Sequence, residues 1–153
     1  MYEEVKMEKL TINLPPIEIG RIDILVEAGY YPSRTEFIRA AIRKTLDSHQ
    51  EFIDSQIKQY KEIFDETEMT EDKKYATFFS MGVVGLRKDY FEKVLAQGKK
   101  MKLQVVGLLS IDKKVSAELI MKTVEFIRVF GVLKASPAVK SALNRIKNES
   151  KNK

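Results

Sequence analysis

Apolar and polar residues alternate strictly through Lys9-Leu10-Thr11-Ile12-Asn13-Leu14. A period of two is the pattern of a strand with one buried and one wet face. Leu10, Ile12 and Leu14 share one side; Lys9, Thr11 and Asn13 share the other. Pro15 and Pro16 stop such a strand, because proline has no N–H to give a ladder. Either proline also fits the first turn of a helix. The period then changes: Ile19, Ile22, Leu25 and Val26 recur at helical spacing. Gly29 falls where a helix takes a left-handed C′ residue. Ser33-Arg34-Thr35-Glu36 has the form of a capping box, with Ser33 as N-cap and Glu36 reaching back from N3. The helix it opens is expected to bury Phe37, Ile38, Ala41, Ile42 and Leu46.

The helical pattern continues over residues 47–66. Leu46, Ile53 and Tyr60 fall seven apart, and Ile57 and Phe64 fill the same face. The second helix either runs on or restarts near Asp47-Ser48. The seam is too short for a sustained coiled coil. Glu66 to Lys74 is polar and charged and reads as a linker. Beyond it the chain repeats. Phe78–Val84, Leu103–Leu109 and Ile127–Leu133 align without gaps, with Gly82, Gly107 and Gly131 spaced 25 and 24 apart. Each strand-like run precedes a helix-like one. The first contains Tyr90, Phe91, Val94 and Leu95; the second Leu119, Ile120, Val124 and Val115; the third Val139, Leu143 and Ile146. Val94, Leu119 and Leu143 hold equivalent places. A small parallel array of three strand–helix units fits this period, as does a compact α/β domain with three chance-similar strands. A glycine at one fixed strand position marks a bulge or a close backbone approach.

The order strand, helix, glycine turn, capped helix resembles the ribbon-helix-helix family of DNA-binding proteins, of the MetJ, Arc and CopG type. The strand Lys9–Leu14 with Pro15, and the stretch from Gly29 through Ser33, Arg34, Thr35, Glu36, Phe37 and Ile38 to Ile42 and Arg43, carry the resemblance. With the intervening helix it covers roughly a quarter to a third of the chain. The resemblance implies that two chains pair their strands antiparallel and that the ribbon enters the major groove, which admits one. Lys9, Thr11 and Asn13 match the family's base-reading positions; outside that pattern they are an ordinary solvated strand face. The start of the second helix, with Ser33, Arg34 and Thr35, would hold a phosphate. A helix N-terminus binds anions on physical grounds as well. A forty-residue segment also buries too little apolar surface to fold alone, so a partner is a physical requirement.

The fold class is then α+β. A dimeric ribbon-helix-helix domain (1–47) of one strand and two helices is followed by a helical connector and linker (48–74). A basic α/β domain of about three strand–helix repeats (75–153) completes it. Charge divides unevenly along the chain, whose net charge is +5. Residues 74–153 carry 17 Lys/Arg against six Asp/Glu, while residues 1–73 carry 10 against 16. The basic half is suited to non-specific polyanion contacts, or is a soluble lysine-rich surface. There is no cysteine, and His49 is the single histidine, so no ordinary transition-metal site is expected. No P-loop and no G-x-G-x-x-G is present. No cofactor and no enzymatic activity are expected. The start, Met1–Lys6, is acidic without an apolar run, and no stretch reaches membrane-spanning length, so a cytoplasmic location is expected. The leading reading is a sequence-specific transcription regulator. Its partners are double-stranded DNA, a second copy (or a higher even number of copies) and an unidentified effector at the C-terminal domain. An antitoxin that represses its own operon and an architectural DNA binder are the alternatives.

Overall fold

The computed structural model describes residues 7–69 and 74–151. Its elements, in chain order, are α1 (Pro16–Glu27), α2 (Arg34–Ser48), α3 (Gln50–Met69), β1 (Tyr75–Leu86), α4 (Lys88–Ala96), β2 (Lys100–Ile111), α5 (Ala117–Thr123), β3 (Val124–Lys134) and α6 (Pro137–Lys151). The chain forms two compact units, Met1–Asp54 and Ser55–Lys153.

In the first unit the caps set the helix ends. Pro16 opens α1 at a position where its missing N–H is harmless. At the other end Gly29 takes φ +82°. The Tyr30 N–H reaches the Leu25 carbonyl and the Gly29 N–H the Val26 carbonyl, both at 3.0 Å. This pair of bonds is a Schellman closure, and a left-handed residue is what permits it. Ser33 caps α2: its Oγ accepts the Glu36 N–H at 3.2 Å. Only half of the expected capping box forms, because the Glu36 carboxylate turns instead to Arg39 (2.8 Å) and Arg43 (3.9 Å). α2 stops at Ser48, and after His49 the chain restarts as α3. α3 runs to Met69, through the first residues of the expected linker. The remainder of that linker at 70–73, the start Met1–Lys6 and the Phe64 side chain lie outside the described residues.

Two expectations need correction for the single chain. Residues 7–15 adopt no regular secondary structure rather than a strand. The reason is that a strand exists only by exchanging backbone hydrogen bonds with a neighbour, and all three described strands pair within the second unit. The second helix does not bury its apolar face either: Ala41, Ile42 and Leu46 are exposed, and Phe37 and Ile38 are half-buried. Ile22 alone, among the described residues of this unit, is buried.

The second unit has its own core. β1, β2 and β3 form a parallel sheet in that order. Parallel neighbours need long crossovers; α4 and α5 supply them, and α4–α5 and α5–α6 pack in sequence against the strands. Phe78, Leu103 and Ile127 lie side by side across the sheet, as do Val84, Leu109 and Leu133. They meet Phe91, Val94, Leu119, Ile120, Val139 and Leu143 of the helices in one apolar cluster. Val94, Leu119 and Leu143, read as equivalent in the repeat, are all buried. The second helical run is shorter than its apolar residues suggested. Val115 precedes α5 and Val124 already begins β3, since a buried apolar residue next to a boundary fits either element.

Gly82, Gly107 and Gly131 stand in one row across the three strands. Gly107 has φ +134°, and a Cβ there would sit 2.1 Å from the Gly82 carbonyl oxygen; at Gly131 it would sit 2.0 Å from the Gly107 oxygen. The close approach expected from the spacing is therefore real at the two inner contacts. On the opposite sheet face Tyr60 of α3 stacks on Phe130, with centroids 5.5 Å apart. The Arg128 guanidinium lies 5.2 Å from each of those rings.

Candidate nucleic-acid interface

The two sides of the segment before Pro15 keep their separate environments without a ladder. Leu10, Ile12 and Leu14 line an open apolar cleft of about 630 Å3, with Ile22 and Leu25 of α1 and Phe37, Ile38, Ala41 and Ile42 of α2. Glu18 and Arg21 also line it. Leu10 is 78 % and Ile12 48 % exposed. Lys9, Thr11 and Asn13 are exposed and are not part of that lining. The strand period thus works as a partition of contacts: the apolar residues turn to the helices and the polar three turn to solvent.

Ser33, Arg34 and Thr35 stand together at the start of α2, by the cap geometry that Ser33 creates. Ser33 Oγ is engaged with the Glu36 N–H, and the Phe37 N–H bonds the Ser33 carbonyl at 3.1 Å. The N–H groups of Arg34 and Thr35 find no acceptor among the described residues. These are the free donors at the positive end of a fifteen-residue helix. No hydrogen bond or ion pair among the described residues joins this cluster to Lys9, Thr11 or Asn13.

Arg34 has a partner that sequence reading missed. Its Nε and Nη2 donate to the two carboxylate oxygens of Asp23, both at 2.6 Å. The fork ties the start of α2 to α1. Nothing in the spacing of an aspartate and an arginine 11 residues apart announced it, since the turn between them decides whether they meet. The hydrogen bonds from Arg34, and secondarily its charge, lower the Asp23 pKa below the usual aspartate value; Asp23 raises that of Arg34 in the same way. The sign follows. A carboxyl with a depressed folded pKa stabilises above its unfolded value, and that contribution is lost as pH falls through the folded one. Both side chains are solvent-exposed, so the effect is local. An NMR titration of the Asp23 carboxyl carbon should give a midpoint below the ordinary aspartate range of about 3.9. Arg34→Ala should return it there. Equal midpoints in the two proteins would show that the fork does not persist in solution.

Among the described residues no group of three His, Cys, Asp or Glu is placed to hold a metal ion, and no helix is long and apolar enough to cross a membrane.

A capped two-helix unit with an unfilled apolar cleft, preceded by an alternating segment, defines a class of protein. The chain belongs to the ribbon-helix-helix transcriptional regulator family, whose model matches residues 5–140. It is therefore a DNA-binding transcription regulator, and its family is not one of enzymes. The match runs through all three strands into α6, so the sheet domain is part of the family's own architecture. The chain is similar to the transcriptional regulator CdrS of Halobacterium salinarum, at 40% identity over 43 residues. That match covers 28% of this chain and 78% of CdrS. It is also similar to an uncharacterized protein of Methanocaldococcus jannaschii, at 41% identity over 39 residues. There it covers 26% of this chain and 40% of the relative. No solved structure matches the chain.

Proposed function

We propose that the protein is a sequence-specific regulator that binds the DNA major groove as a dimer, through a ribbon made from residues 9–14 of two copies. The observation that carries the reading is the cleft. Leu10, Ile12 and Leu14 line a cleft against two helices, yet Leu10 and Ile12 remain exposed to solvent. A second copy supplies what is lacking. Its residues 9–14 satisfy the backbone groups of the first strand, and its apolar row completes a shared core. Residues 1–47 then act as the reader, 48–74 as the connector and 75–153 as a basic companion domain.

Pairing turns the exposed Lys9, Thr11 and Asn13 of both copies outward together. A cation, a hydroxyl and a carboxamide are groups that bond base edges: Lys to guanine, Asn to adenine, Thr to either. The α2 start holds a phosphate with the Arg34 and Thr35 N–H groups and the Thr35 hydroxyl, fixing the ribbon's register on the duplex. Ser33 supports this as the cap. Arg34 is shared: a phosphate oxygen competes with Asp23 for its guanidinium, so Asp23→Asn should tighten binding modestly at every sequence alike.

The bound sequence is to be selected from a random duplex pool with the full chain. Lys9→Ala and Asn13→Ala should then each cost about 1–3 kcal/mol at one position of the selected site and relax the preference there. Thr35→Ala should weaken binding at all sequences equally. Unchanged selection by both ribbon variants would remove Lys9 and Asn13 from the reading surface.

A further inference from the structure

β1 is an edge of the sheet, and its sequence is unusual for one. The twelve residues Tyr75–Leu86 contain no charged side chain and no proline. The opposite edge, β3, carries Glu125, Arg128 and Lys134. An edge strand presents a row of backbone donors and acceptors to any passing chain. Proteins blunt that hazard with charge, with proline, or by covering the edge. β3 has the charges. β1 lacks both charge and proline, which leaves its edge suited to pairing with another strand.

Among the described residues β2 is the strand that pairs with β1, and it does so along one side. The portion from Met81 to Val83 is the most open: Met81 is 56 % and Val83 64 % exposed, and nothing approaches within 4 Å of a Cβ at Gly82. We propose that the outer edge of β1, between Phe78 and Leu86, pairs with the same edge of a second copy. The two β1 strands run antiparallel about a two-fold axis and join two three-stranded sheets into one of six strands.

Three arguments select a second copy as the occupant. First, an uncharged strand meets itself without like-charge repulsion in any register, whereas β3 carries Arg128, Lys134 and Glu125, whose like charges some registers of self-pairing would oppose. Second, a two-fold axis perpendicular to the sheet reverses strand direction but keeps the faces. The apolar residues that β1 turns to the helices, Phe78 and Val84, then continue the row of their counterparts. Isologous pairing of this kind closes, so it yields a finite assembly. Third, the pairing put forward above for the N-terminal unit would tether two sheet domains at an effective concentration in the millimolar range. The edge contact gains from that tether but does not depend on it.

The chain has no cysteine, so single cysteines can report the contact in the full-length protein. They are introduced one at a time at residues 78–84, with Val132→Cys on β3 as the control, and oxidised at low protein concentration. Disulfide dimers should peak at one position or at two same-face positions next to the axis, and be absent at residue 132. Hydrogen exchange supplies the second reading. A lone edge strand leaves alternate amides open to solvent, whereas a paired one protects consecutive amides from Phe78 to Val84. Met81→Lys with Val83→Lys, at two side chains already exposed, should abolish both signals without changing the circular dichroism of the helices. Thr11→Cys reports the ribbon separately, so either pairing can fail without obscuring the other. No cross-linking maximum along β1, or fast exchange at alternate amides, overturns the proposal. Protected amides without cross-linking also overturn it, because some other strand then covers the edge.

Discussion

Gly107→Ala should strongly destabilise the sheet domain while α1 and α2 keep their helical structure. The added methyl would lie 2.1 Å from the Gly82 carbonyl oxygen, 2.9 Å from its carbon and 3.1 Å from its nitrogen. All three are backbone atoms of a paired strand, so no side-chain rotation relieves the contact. β1 would have to move by about 1 Å, enough to break ladder bonds whose ordinary length is about 2.9–3.0 Å. The φ of +134° adds its own penalty, since L side chains rarely adopt it. Such backbone strain costs about 1–3 kcal/mol, and overpacking a close contact a similar amount. Together they approach the lower end of a domain's whole stability, about 5 kcal/mol. For a domain of this size each kilocalorie moves the midpoint by about 4–8 °C, so a fall of about 8 °C or more is expected in a circular dichroism melt. Gly82→Ala separates the causes. It shares a positive φ of +108° but meets open space, so it should show the strain alone, about 1–3 kcal/mol. If Gly107→Ala melts within a few degrees of the parent protein, the glycine row is not a packing requirement.

That row also shows how much of the architecture could be read beforehand. The strand–helix period of three apolar runs pointed to a parallel sheet, and their glycines at a constant offset pointed to a bulge or a close backbone approach, a demand that few residues other than glycine meet. Ser33 and Gly29 marked helix ends for the same reason: each supplies a hydrogen bond or a backbone angle that few residues can. The strand–helix junction at Thr123–Val124 was less legible, since apolar residues are buried on either side of it. The site was legible as a partition and not as a geometry. Alternation told which of Lys9 to Leu14 turn to the helices and which to solvent. It could not supply a strand, because a strand needs a hydrogen-bonding neighbour and no described residue of the single chain provides one. The Asp23–Arg34 fork was invisible because it depends on the path of the Gly29–Pro32 turn.

Ile12→Asp should abolish dimer formation and, with it, specific DNA binding. In a single chain the substitution is mild, because Ile12 is 48 % exposed and its carboxylate would stay hydrated. In the proposed paired state the same position would lie in a closed apolar layer, where an unpaired carboxylate costs several kilocalories per mole. The two-fold places one such charge in each protomer, and the two repel. At about 1.4 kcal/mol per decade, a total of some 4–7 kcal/mol weakens association on the order of 10^3- to 10^5-fold. On the proposed binding mode, base contacts from one strand would not compensate, since the ribbon that enters the groove is made of two. Thr11→Ala is the matched control on the solvent side of the same segment. It should leave the dimer intact by sedimentation and relax base preference at one site position. The pair of variants therefore splits assembly from readout. Ile12→Asp that sediments as a dimer and retains its selected site would mean that Leu10, Ile12 and Leu14 do not form the shared core. Equal loss of assembly in both variants would mean that the inward and outward sides are not distinct.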